Sequence, residues 1–422
     1  MNKKRRQILK FSGLTALGIS LKVNLNGATS LLSKSMKTKN LKDSNLSVIG
    51  KYGEWATQLK DKQLPKFSFR NSKYVDVKSW QKVAKNQLIE RMAIPDIGGL
   101  PRVKVIESLT YDGLHIEKLT WQLPYGRPTE AILLKPLNAR GKLPAVLAFH
   151  DHSGDKYFGT QKITKTSDNQ HPLMKEGQQL AYEGMAWANE LAKRGYVVLV
   201  PDAFAFGSRR VMMEDIPESS RGGLTDNDSE NPTNIKAYND WANNHEQTMS
   251  RSLFSAGTTW PGVFFAEDKK ALDVLCARED VDNERVGCCG LSGGGLRTVF
   301  MAGLDARIKC AVPVAFVTTW NDFALNKSTN HTWMTYVPLL PNELDFPEIL
   351  GLRTPLPTLV LNDINDNLYT MPEMEKANEI LKEIYKKAGA EEKYKCSFHP
   401  GPHKFDKKMQ KEAFDWFDKW LK

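Results

Sequence analysis

The stretch Gly290-Leu291-Ser292-Gly293-Gly294 decides the fold that this sequence predicts. It follows an apolar, strand-like run at 286–289 and opens a helix-like run at 296–302. A serine on a sharp turn between a strand and a helix has its hydroxyl pushed into the open, and the crowded turn needs small residues two positions away on either side. In a chain with 29 glycines the alternative is a glycine-rich loop. The strand-to-helix setting favours a nucleophilic serine at position 292.

Two further groups are expected after the serine, because a nucleophilic serine needs a base and the base needs an orienting acid. Asp363 and Asp366 follow one β-rich run, and His399 and His403 follow the next. We favour Asp366 as the acid, since it lies further out in its loop, whereas Asp363 could cap the turn. We favour His403 as the base, since a loop position lets an imidazole reach the serine. His399 fits a histidine packed at a strand end.

The segment 282–295 resembles the serine-containing region of α/β-hydrolases related to dienelactone hydrolases and acetyl xylan esterases. The histidine loop at 401–405 is similar to their G-G-H-x-F pattern, with a proline in place of one glycine. Asp366 matches the acid of their G-x-x-D motif, although this chain has Asp363 at the position where the motif has glycine. The resemblance covers about residues 105–421 and implies a serine hydrolase that needs no cofactor.

Two backbone N–H groups are expected to hold the oxyanion that forms on the substrate. One is that of Gly293, at the start of a helix where N–H groups are unpaired. The other comes from the loop after the strand-like run 144–149, where the resembling proteins carry H-G-x-G-like sequences. If His150 corresponds to their histidine, His152 is the donor. A zinc site that includes Asp151 is the alternative; we predict no metal, because this loop already has a role and no third ligand cluster is evident.

Helix-like segments alternate with β-rich runs across this region, which predicts a doubly wound, mostly parallel sheet. Together with the resemblance, this gives an α/β fold class: an α/β-hydrolase fold with an eight-stranded sheet and lid insertions. The chain has 422 residues, more than the roughly 250 of a bare core. We expect an export signal and linker at 1–45, a helical extension at 46–104, and a catalytic domain at 105–422 with insertions near 203–259 and 318–352.

The net charge of +10 belongs almost entirely to the N-terminal segment. Residues 1–45 hold ten of the 59 basic residues and one of the 49 acidic residues, which leaves 49 basic against 48 acidic in the rest. No basic face is implied, and no nucleic-acid partner is expected. Lys3–Lys10 resembles a twin-arginine export signal, and the apolar stretch Phe11–Leu21 is too short to span a membrane in the mature chain. The expected location is periplasmic or secreted; a basic disordered tail is the alternative.

The five cysteines lie in apolar helix-like or strand-like runs at 276, 288, 289, 310 and 396. This setting is typical of small core residues and does not suggest a disulfide framework. Cys288 and Cys289 are neighbours on a strand and are therefore expected to face opposite sides of the sheet.

Substrate contacts are expected from the insertions and from the helix after the serine. Arg209 and Arg210 follow a strand end, and Arg297 lies just over one turn past Ser292. Guanidinium groups bind carboxylates, so these arginines could select a uronate; a solvated or structural role is the alternative. The indole rings of Trp260 and Trp320 suit stacking on sugars, with plain lid packing as the alternative.

These observations predict a secreted carboxylic-ester hydrolase that acts on a small-molecule or oligosaccharide ester through an acyl-enzyme. Ser292 is the expected nucleophile, His403 the base and Asp366 the acid. A serine peptidase resembling prolyl oligopeptidases is the first alternative. A catalytically inactive carbohydrate-binding protein on the same fold is the second. The acyl group, the alcohol and the oligomeric state stay open.

Overall fold

A computed structural model describes residues 47–59 and 64–422 of the chain. The predicted export signal at 1–45 lies outside these residues. Within the described ranges, no helix combines the length and the apolar character that a membrane crossing requires.

A mixed sheet organises the described part of the chain, in the order β1-β2-β3-β5-β4-β6-β7-β8-β9. Strands β1 to β3 form an antiparallel meander, β3 pairs antiparallel with β5, and the strands from β5 to β9 pair in parallel. The predicted mainly parallel α/β architecture is confirmed. The strands are β1 Val103–Tyr111, β2 Leu114–Trp121, β3 Thr129–Pro136, β4 Leu143–Phe149, β5 Val197–Pro201, β6 Val281–Leu291, β7 Ile308–Val314, β8 Thr358–Asp363 and β9 Tyr394–His399.

The expectation of eight strands needs correction, because the described residues form nine. The additional strand is β1, which pairs with β2 at one edge of the sheet. Its apolar side chains Val103, Val105 and Ile106 are exposed, so no inward-facing alternation marks the first half of it as a strand. Ile106 is an extra residue in a bulge between the pairs Val105–Leu119 and Glu107–Lys118.

Helices cover both faces of the sheet. They are α1 Tyr52–Gln58, α2 Val77–Met92, α3 Pro172–Tyr182, α4 Trp187–Lys193, α5 Pro232–Ser255, α6 Trp260–Cys276, α7 Gly293–Leu304, α8 Phe346–Gly351, α9 Met371–Lys387 and α10 Lys407–Leu421. One apolar layer contains α2, α6, α7, α8 and α9, and the other contains α4 and α10. Cys288 packs in the first layer and Cys289 in the second, which confirms that they face opposite sides of β6.

Two long segments leave the sheet at the carboxyl ends of strands. The segment 202–259, between β5 and α6, contains short helical turns and the long helix α5. The segment 315–345, between β7 and α8, consists of short helical turns and loops. Glu246 on α5 joins them, because its carboxylate accepts hydrogen bonds from Thr332 and Trp333. Both segments therefore lie at the edge of the sheet where ligands bind in open α/β folds.

Candidate active site

Ser292 occupies the turn between β6 and α7, in a conformation that few residues adopt. Its φ of 59° and ψ of −115° lie outside the regions favoured by side chains with a Cβ. The turn holds this strain because the N–H of Ser292 donates to the carbonyl oxygen of Val314 at 2.9 Å, and its own carbonyl accepts from Leu296 at 2.9 Å. Strained conformations of this kind cluster at functional sites.

The glycines of the serine turn, within residues 290–295, are required by the strands on either side. A Cβ on Gly290 would lie 2.6 Å from the carbonyl oxygen of Phe149 on β4, and one on Gly294 would lie 2.4 Å from the same oxygen. On the other side, a Cβ on Gly295 would lie 2.7 Å from the carbonyl oxygen of Val314 on β7. These are backbone atoms that cannot move aside, so the turn tolerates only glycine at these positions.

The loop after β4 approaches the start of α7. We call residues 150–156 the oxyanion loop. An added Cβ on Gly293 would lie 3.2 Å from the backbone nitrogen of His152, so the two residues predicted to donate to the oxyanion are neighbours in space. Gly293 also opens α7, where free N–H groups and the helix dipole favour negative charge. The geometry suits a site for a developing oxyanion.

A buried lysine holds the backbone of the oxyanion loop. Nζ of Lys162 donates to the carbonyl oxygens of Asp151 and His152, at 2.9 Å each. The Asp151 carboxylate in turn accepts hydrogen bonds from the hydroxyls of Tyr182 and Ser153. Burial opposes ionisation of Asp151, but Lys162 and these hydroxyls lower its pKa to about 2. Asp151 departs from the glycine of the resembling proteins, and this buried network accounts for it.

The side chain of His152 is also engaged. Its Nδ1 accepts from the N–H of Gly154 at 2.9 Å, so Nε2 carries the proton and donates to Glu246 at 2.6 Å. Nζ of Lys156 lies 2.5 Å from the same carboxylate oxygen of Glu246. Among the described residues, no group of three or more His, Cys, Asp or Glu side chains could hold a metal ion. His152 instead belongs to a buried network of hydrogen bonds and charge.

Both ring nitrogens of His150 are bonded to backbone groups, so this side chain has a structural role. Its Nδ1 donates to the carbonyl oxygen of Asp151 at 3.0 Å, and its Nε2 accepts from the N–H of Ala203 at 3.2 Å. Burial and the nearby guanidinium group of Arg297 hold the pKa of His150 well below its ordinary value. The ring is therefore neutral and joins the loops after β4 and β5.

The loops after β8 and β9, residues 364–370 and 400–406, bring His403 to Asp366; we call them the base loops. Nδ1 of His403 lies 2.6 Å from Oδ2 of Asp366, and Oδ1 of Asp366 accepts from the N–H of Leu368 at 2.8 Å. The loops are joined by a hydrogen bond from the N–H of Asn365 to the carbonyl oxygen of Gly401 at 3.0 Å. The contact with Asp366 engages Nδ1 of the imidazole and leaves Nε2 as the nitrogen that can accept a proton.

Asp363, the alternative acid, has a different position. Its Oδ2 accepts from the backbone N–H of Lys404 at 3.0 Å, while Oδ1 is buried without a hydrogen-bond partner among the described residues. Burial raises the pKa of Asp363 to about 7, against the effect of the Lys404 hydrogen bond. Asp366 therefore contacts the imidazole of His403, and Asp363 contacts the backbone beside it.

His399, the alternative base, ends β9 and is buried. Its Nε2 lies 2.8 Å from Oε2 of Glu412 on α10. Glu412 also accepts from the hydroxyl of Ser397 at 2.6 Å. These contacts tie the end of β9 to α10, as expected for a histidine packed at a strand end.

Two of the three arginines predicted to meet substrate require correction. The guanidinium group of Arg297 is buried and binds Asp268 at 2.9 and 2.6 Å, and that of Arg209 binds Glu267 at 2.6 Å. The two acids are adjacent on α6, and both pairs are nearly inaccessible to solvent. Since each guanidinium group already has a carboxylate partner, neither is available to a substrate uronate in this arrangement.

Arg210 differs from the other two because it is only half-buried. Its guanidinium group lies over the ring of Tyr157, 4.4 Å from the centroid, and NH1 donates to the carbonyl oxygen of Gly207 at 3.1 Å. It lines a cavity of about 580 Å³ together with Phe204 and Asp215. Arg209 lines the same cavity, but its guanidinium group is already paired with Glu267, whereas that of Arg210 has no carboxylate within salt-bridge distance among the described residues.

The tryptophans predicted to contact sugars also need correction. Trp260 is 1% exposed and Trp320 is 3% exposed, and both belong to the main apolar layer. Nε1 of Trp320 donates to the carbonyl oxygen of Leu344 at 3.1 Å. Trp333, in the segment 315–345, is 41% exposed, and its backbone is bonded to Glu246. Trp333 is therefore better placed to meet a ligand than either predicted tryptophan.

Three buried charged residues near the site carry no local sequence signal: Lys156, Lys162 and Glu246. Lysine and glutamate are rarely buried unless they are paired, so local patterns do not separate such residues from surface charges. Lys156 ends the oxyanion loop and Lys162 follows it closely, and Lys162 bonds to a residue ten positions before it. Glu246 lies 94 positions from His152, and no sequence signal joins them.

A protein-family model described as the prolyl oligopeptidase family, Peptidase S9, matches residues 255–422. This range contains the serine turn and the base loops. A Bacillus subtilis (strain 168) protein named as a hydrolase, YtaP, is 26% identical over 309 residues, which is 72% of this chain and 88% of that protein.

Solved structures share the fold. A Bacteroides fragilis NCTC 9343 protein described as an acetyl xylan esterase matches with a TM-score of 0.61 at 19% identity, over 85% of this chain and 86% of that one. A glucuronoyl esterase from Solibacter usitatus matches with a TM-score of 0.56 at 12% identity, over 86% of this chain and 98% of that one. The chain has the α/β-hydrolase fold, and the comparisons together support a serine hydrolase enzyme.

Proposed function

We propose that this protein is an esterase that hydrolyses a carbohydrate ester through an acyl-enzyme on Ser292. The observation that carries the proposal is the 2.6 Å contact between Nδ1 of His403 and Asp366, in loops that follow neighbouring strands. Ser292 lies on the same edge of the sheet, in the strained strand-to-helix turn of a nucleophile. The chain order of the three residues and their positions at the ends of neighbouring strands support a serine–acid–histidine triad.

In the first half of the reaction, Oγ of Ser292 bonds to the ester carbonyl carbon while Nε2 of His403 takes its proton. The carbonyl π electrons move onto oxygen, and the N–H groups of Gly293 and His152 stabilise that charge. The tetrahedral intermediate collapses, the carbon–oxygen bond to the alcohol breaks, and the alcohol leaves with the proton from His403. Asp366 holds the imidazole in the required tautomer and stabilises its charged form.

In the second half, water attacks the acyl carbon. His403 takes a proton from the water, the same N–H groups hold the second oxyanion, and the bond to Oγ of Ser292 breaks as the proton returns to Oγ. The acid is released and the enzyme is restored. Each step uses only this chain's residues and water.

A substrate panel tests the ester class. Hydrolysis of acetyl, feruloyl and methyl-uronate esters of sugars is compared with hydrolysis of peptides, in the wild type and in Ser292→Ala. Turnover of at least one sugar ester that Ser292→Ala abolishes is the expected result. The esterase structures that share the fold support this choice. Sugar esters that are left intact while peptides are cleaved would contradict it.

Peptide hydrolysis is the second candidate function, and the family match over residues 255–422 favours it. The same nucleophile, base and oxyanion donors would serve an amide as well as an ester. The panel separates the two, since an amine is a poorer leaving group than an alcohol and a peptidase must reveal itself on peptide substrates. An inactive binding protein is a third outcome: a fluorophosphonate probe would then fail to label Ser292.

Export is a separate part of the proposal and concerns Lys3–Lys10, outside the described residues. The support is the paired arginines with a following mildly apolar stretch. Replacing Arg5-Arg6 by Lys-Lys is expected to retain the precursor in the cytoplasm, which fractionation and immunoblotting would measure. Unchanged export of that variant would rule out the twin-arginine route.

Recognition of an anionic sugar, if the substrate carries a uronate, is assigned to Arg210 in this proposal. Arg209 and Arg210 line the same open cavity, but Arg209 is paired with buried Glu267, as Arg297 is with Asp268, whereas Arg210 is half-buried and stacks on Tyr157. Arg210→Ala is expected to lower kcat/KM for a uronate-containing ester by about tenfold or more, the worth of a charged hydrogen bond, and to leave the neutral ester unchanged. Equal losses on both esters would contradict a specific contact.

A further inference from the structure

Glu246 on α5 is a buried carboxylate, 4% exposed, in which both oxygens are fully used. Oε1 lies 2.6 Å from Nε2 of His152 and 2.5 Å from Nζ of Lys156. Oε2 accepts from the hydroxyl of Thr332 at 2.6 Å and from the N–H of Trp333 at 3.0 Å. Four donors thus converge on a group that has about four lone-pair sites.

The protonation states around Glu246 are fixed by the surrounding contacts. The N–H of Gly154 donates to Nδ1 of His152, so the ring proton must be on Nε2 and must find an acceptor. Nζ of Lys156 is buried and needs an anion close by. Although burial opposes ionisation, the hydrogen bond from His152 and the charge of Lys156 hold the pKa of Glu246 below its ordinary value. The group is a carboxylate at neutral pH.

This carboxylate joins three parts of the active-site wall. It contacts the oxyanion loop through the side chain of His152, and the backbone N–H of His152 lies beside Gly293. It accepts hydrogen bonds from Thr332 and Trp333 in the segment after β7, where the indole ring of Trp333 is exposed. It belongs to α5, in the long segment between β5 and α6. A residue of the inserted helix therefore contacts both the oxyanion loop and the opposite segment.

We propose that Glu246 is a positioning residue that sets the backbone N–H of His152 for the oxyanion and couples this donor to the Thr332–Trp333 segment. The inference rests on the proposed function, since it assigns Glu246 to the oxyanion site of the Ser292 reaction. The side chain of His152 is an anchor in this arrangement, and its backbone is the donor. Donors in oxyanion holes act through placement, and supporting contacts determine how well that placement is kept.

Glutamine is the sharpest substitution, because Glu246→Gln keeps the shape and removes acceptor capacity. One amide oxygen can satisfy two of the four donors, but the amide NH₂ then faces the others. The N–H of Trp333 and the Nε2–H of His152 cannot change into acceptors, because one is backbone and the other is fixed by Gly154. The variant must shift either the oxyanion loop or the Thr332–Trp333 segment.

Steady-state kinetics with p-nitrophenyl acetate and inhibition by octylthiotrifluoropropanone test the proposal. Oγ of Ser292 attacks the carbonyl carbon of the ketone, and the serine proton passes to His403. The resulting oxyanion occupies the site formed by the N–H groups of Gly293 and His152. Glu246→Gln is expected to lower kcat by about ten- to a hundredfold, with KM changed by less than about twofold. The Ki of the ketone is expected to rise by a factor similar to the loss in kcat. Unchanged kcat and Ki would overturn the proposal.

Glu117→Gln is the matched control. Glu117 is a buried glutamate that also pairs with a histidine, His115 at 3.2 Å, and with a cation, Arg278 at 2.8 Å. It lies on β2, which three strands separate from β6. Its loss is expected to lower the thermal stability and to leave kcat and Ki unchanged. Equal effects of both variants on kcat would mean that the loss reflects a general weakening of the fold.

A second variant keeps the test decisive if Glu246→Gln does not fold. His152→Leu retains the backbone N–H but removes the imidazole that Glu246 holds, and Lys156 still neutralises the carboxylate. The same pattern is expected, a lower kcat and a weaker ketone at similar KM; wild-type values would overturn the proposal. Ser292→Ala separates the two claims: activity in that variant refutes the proposed function, whereas inactivity there beside wild-type values in the other variants refutes only the role of Glu246.

Discussion

The oxyanion loop and the base loops lie on opposite sides of β6 in the sheet and are built differently. The base loops present the imidazole of His403 through its contact with Asp366, and the histidine side chain is 20% exposed. The oxyanion loop presents a backbone, which three buried charged side chains hold: Lys156 within the loop, and Lys162 and Glu246 outside it. The first region depends on a pair of side chains, whereas the second depends on a network.

Under the proposed function, the difference shows how two kinds of catalytic group are held in place. A side chain that moves a proton needs one partner to fix its ring and must leave the other nitrogen accessible. A backbone N–H that stabilises developing charge must keep a fixed position, and this requires several contacts to the peptide units around it. Single substitutions should therefore be severe in the base loops and graded in the oxyanion loop.

Removing the proposed nucleophile or its proposed base should have the largest effect. Ser292→Ala and His403→Ala are each expected to lower kcat about a millionfold, because members of a triad act as a unit. Single-turnover and steady-state assays on an activated ester would measure the loss, and the double variant should lose little more than either single one. A double variant far worse than both singles would show that the two residues act independently.

Asp366→Asn should come next, at about a ten-thousandfold loss in kcat, because an amide at this position favours the wrong tautomer of His403. The thermal stability is expected to change little by comparison, since the amide can still accept the Leu368 hydrogen bond. Kinetics on the purified variant and a thermal melt measure both. A loss smaller than that of Asp363→Asn would transfer the role of acid to Asp363.

Lys162→Met should give a graded effect in the oxyanion loop. It leaves the carbonyl groups of Asp151 and His152 without their shared donor, so kcat is expected to fall about ten- to a hundredfold. Stability should fall by about 1–3 kcal/mol for a buried group left unsatisfied. Lys165→Met is the control, since the ammonium group of Lys165 pairs with an exposed acid, Asp168. Similar kinetics for both variants would show that Lys162 has no role in the loop.

Asp363→Asn should have the smallest effect on catalysis, less than about threefold in kcat, which falls far below the loss expected for the acid of a triad. Its signature is in the pH dependence of stability. Burial raises the pKa of Asp363 from 3.8 to about 7, so the folded state holds a proton that the unfolded state has lost between these values. Wild-type stability from this group is full below about pH 4 and falls as the pH rises to about 7.

The neutral amide does not titrate, so the variant should become progressively more stable relative to the wild type over that interval. Chemical denaturation at a series of pH values would measure the difference in the free energy of unfolding. A constant difference from pH 4 to pH 7 would contradict a titration of Asp363 in this range. The Lys404 backbone contact is retained in the variant, because an asparagine oxygen can accept the same hydrogen bond.

Sequence reasoning was most effective where the determinants are local. The alternation of strands and helices predicted the parallel sheet, and the glycines of the serine turn are explained by contacts with β4 and β7. The Asp366–His403 contact joins two loops that follow neighbouring parallel strands, which the order of β-rich runs already suggested. Each of these inferences needs only a strand, its end and the residue that follows it.

Partners from distant segments were not predictable in this way. In the sequence, Arg297 and Arg209 have no evident partner. In the structure, α6 places Asp268 beside Arg297 and Glu267 beside Arg209. Trp260 and Trp320 look like sugar platforms until the apolar layer buries them. Glu246 resembles any helical surface glutamate until α5 is laid against the oxyanion loop. In each case the side chain's role is set by tertiary packing and not by its neighbours in sequence.

The bulge at Ile106 also bears on how copies of this protein behave at high concentration. The outer side of β1 is an edge with backbone groups that could template a strand from another molecule, and Val105 and Ile106 leave apolar side chains exposed there. The extra residue interrupts the regular spacing of these groups and increases the local twist. Such an interruption protects an open sheet against edge-to-edge aggregation without a covering element. Deleting Ile106 is expected to restore regular backbone spacing along β1 and to make the protein more prone to aggregation through this edge.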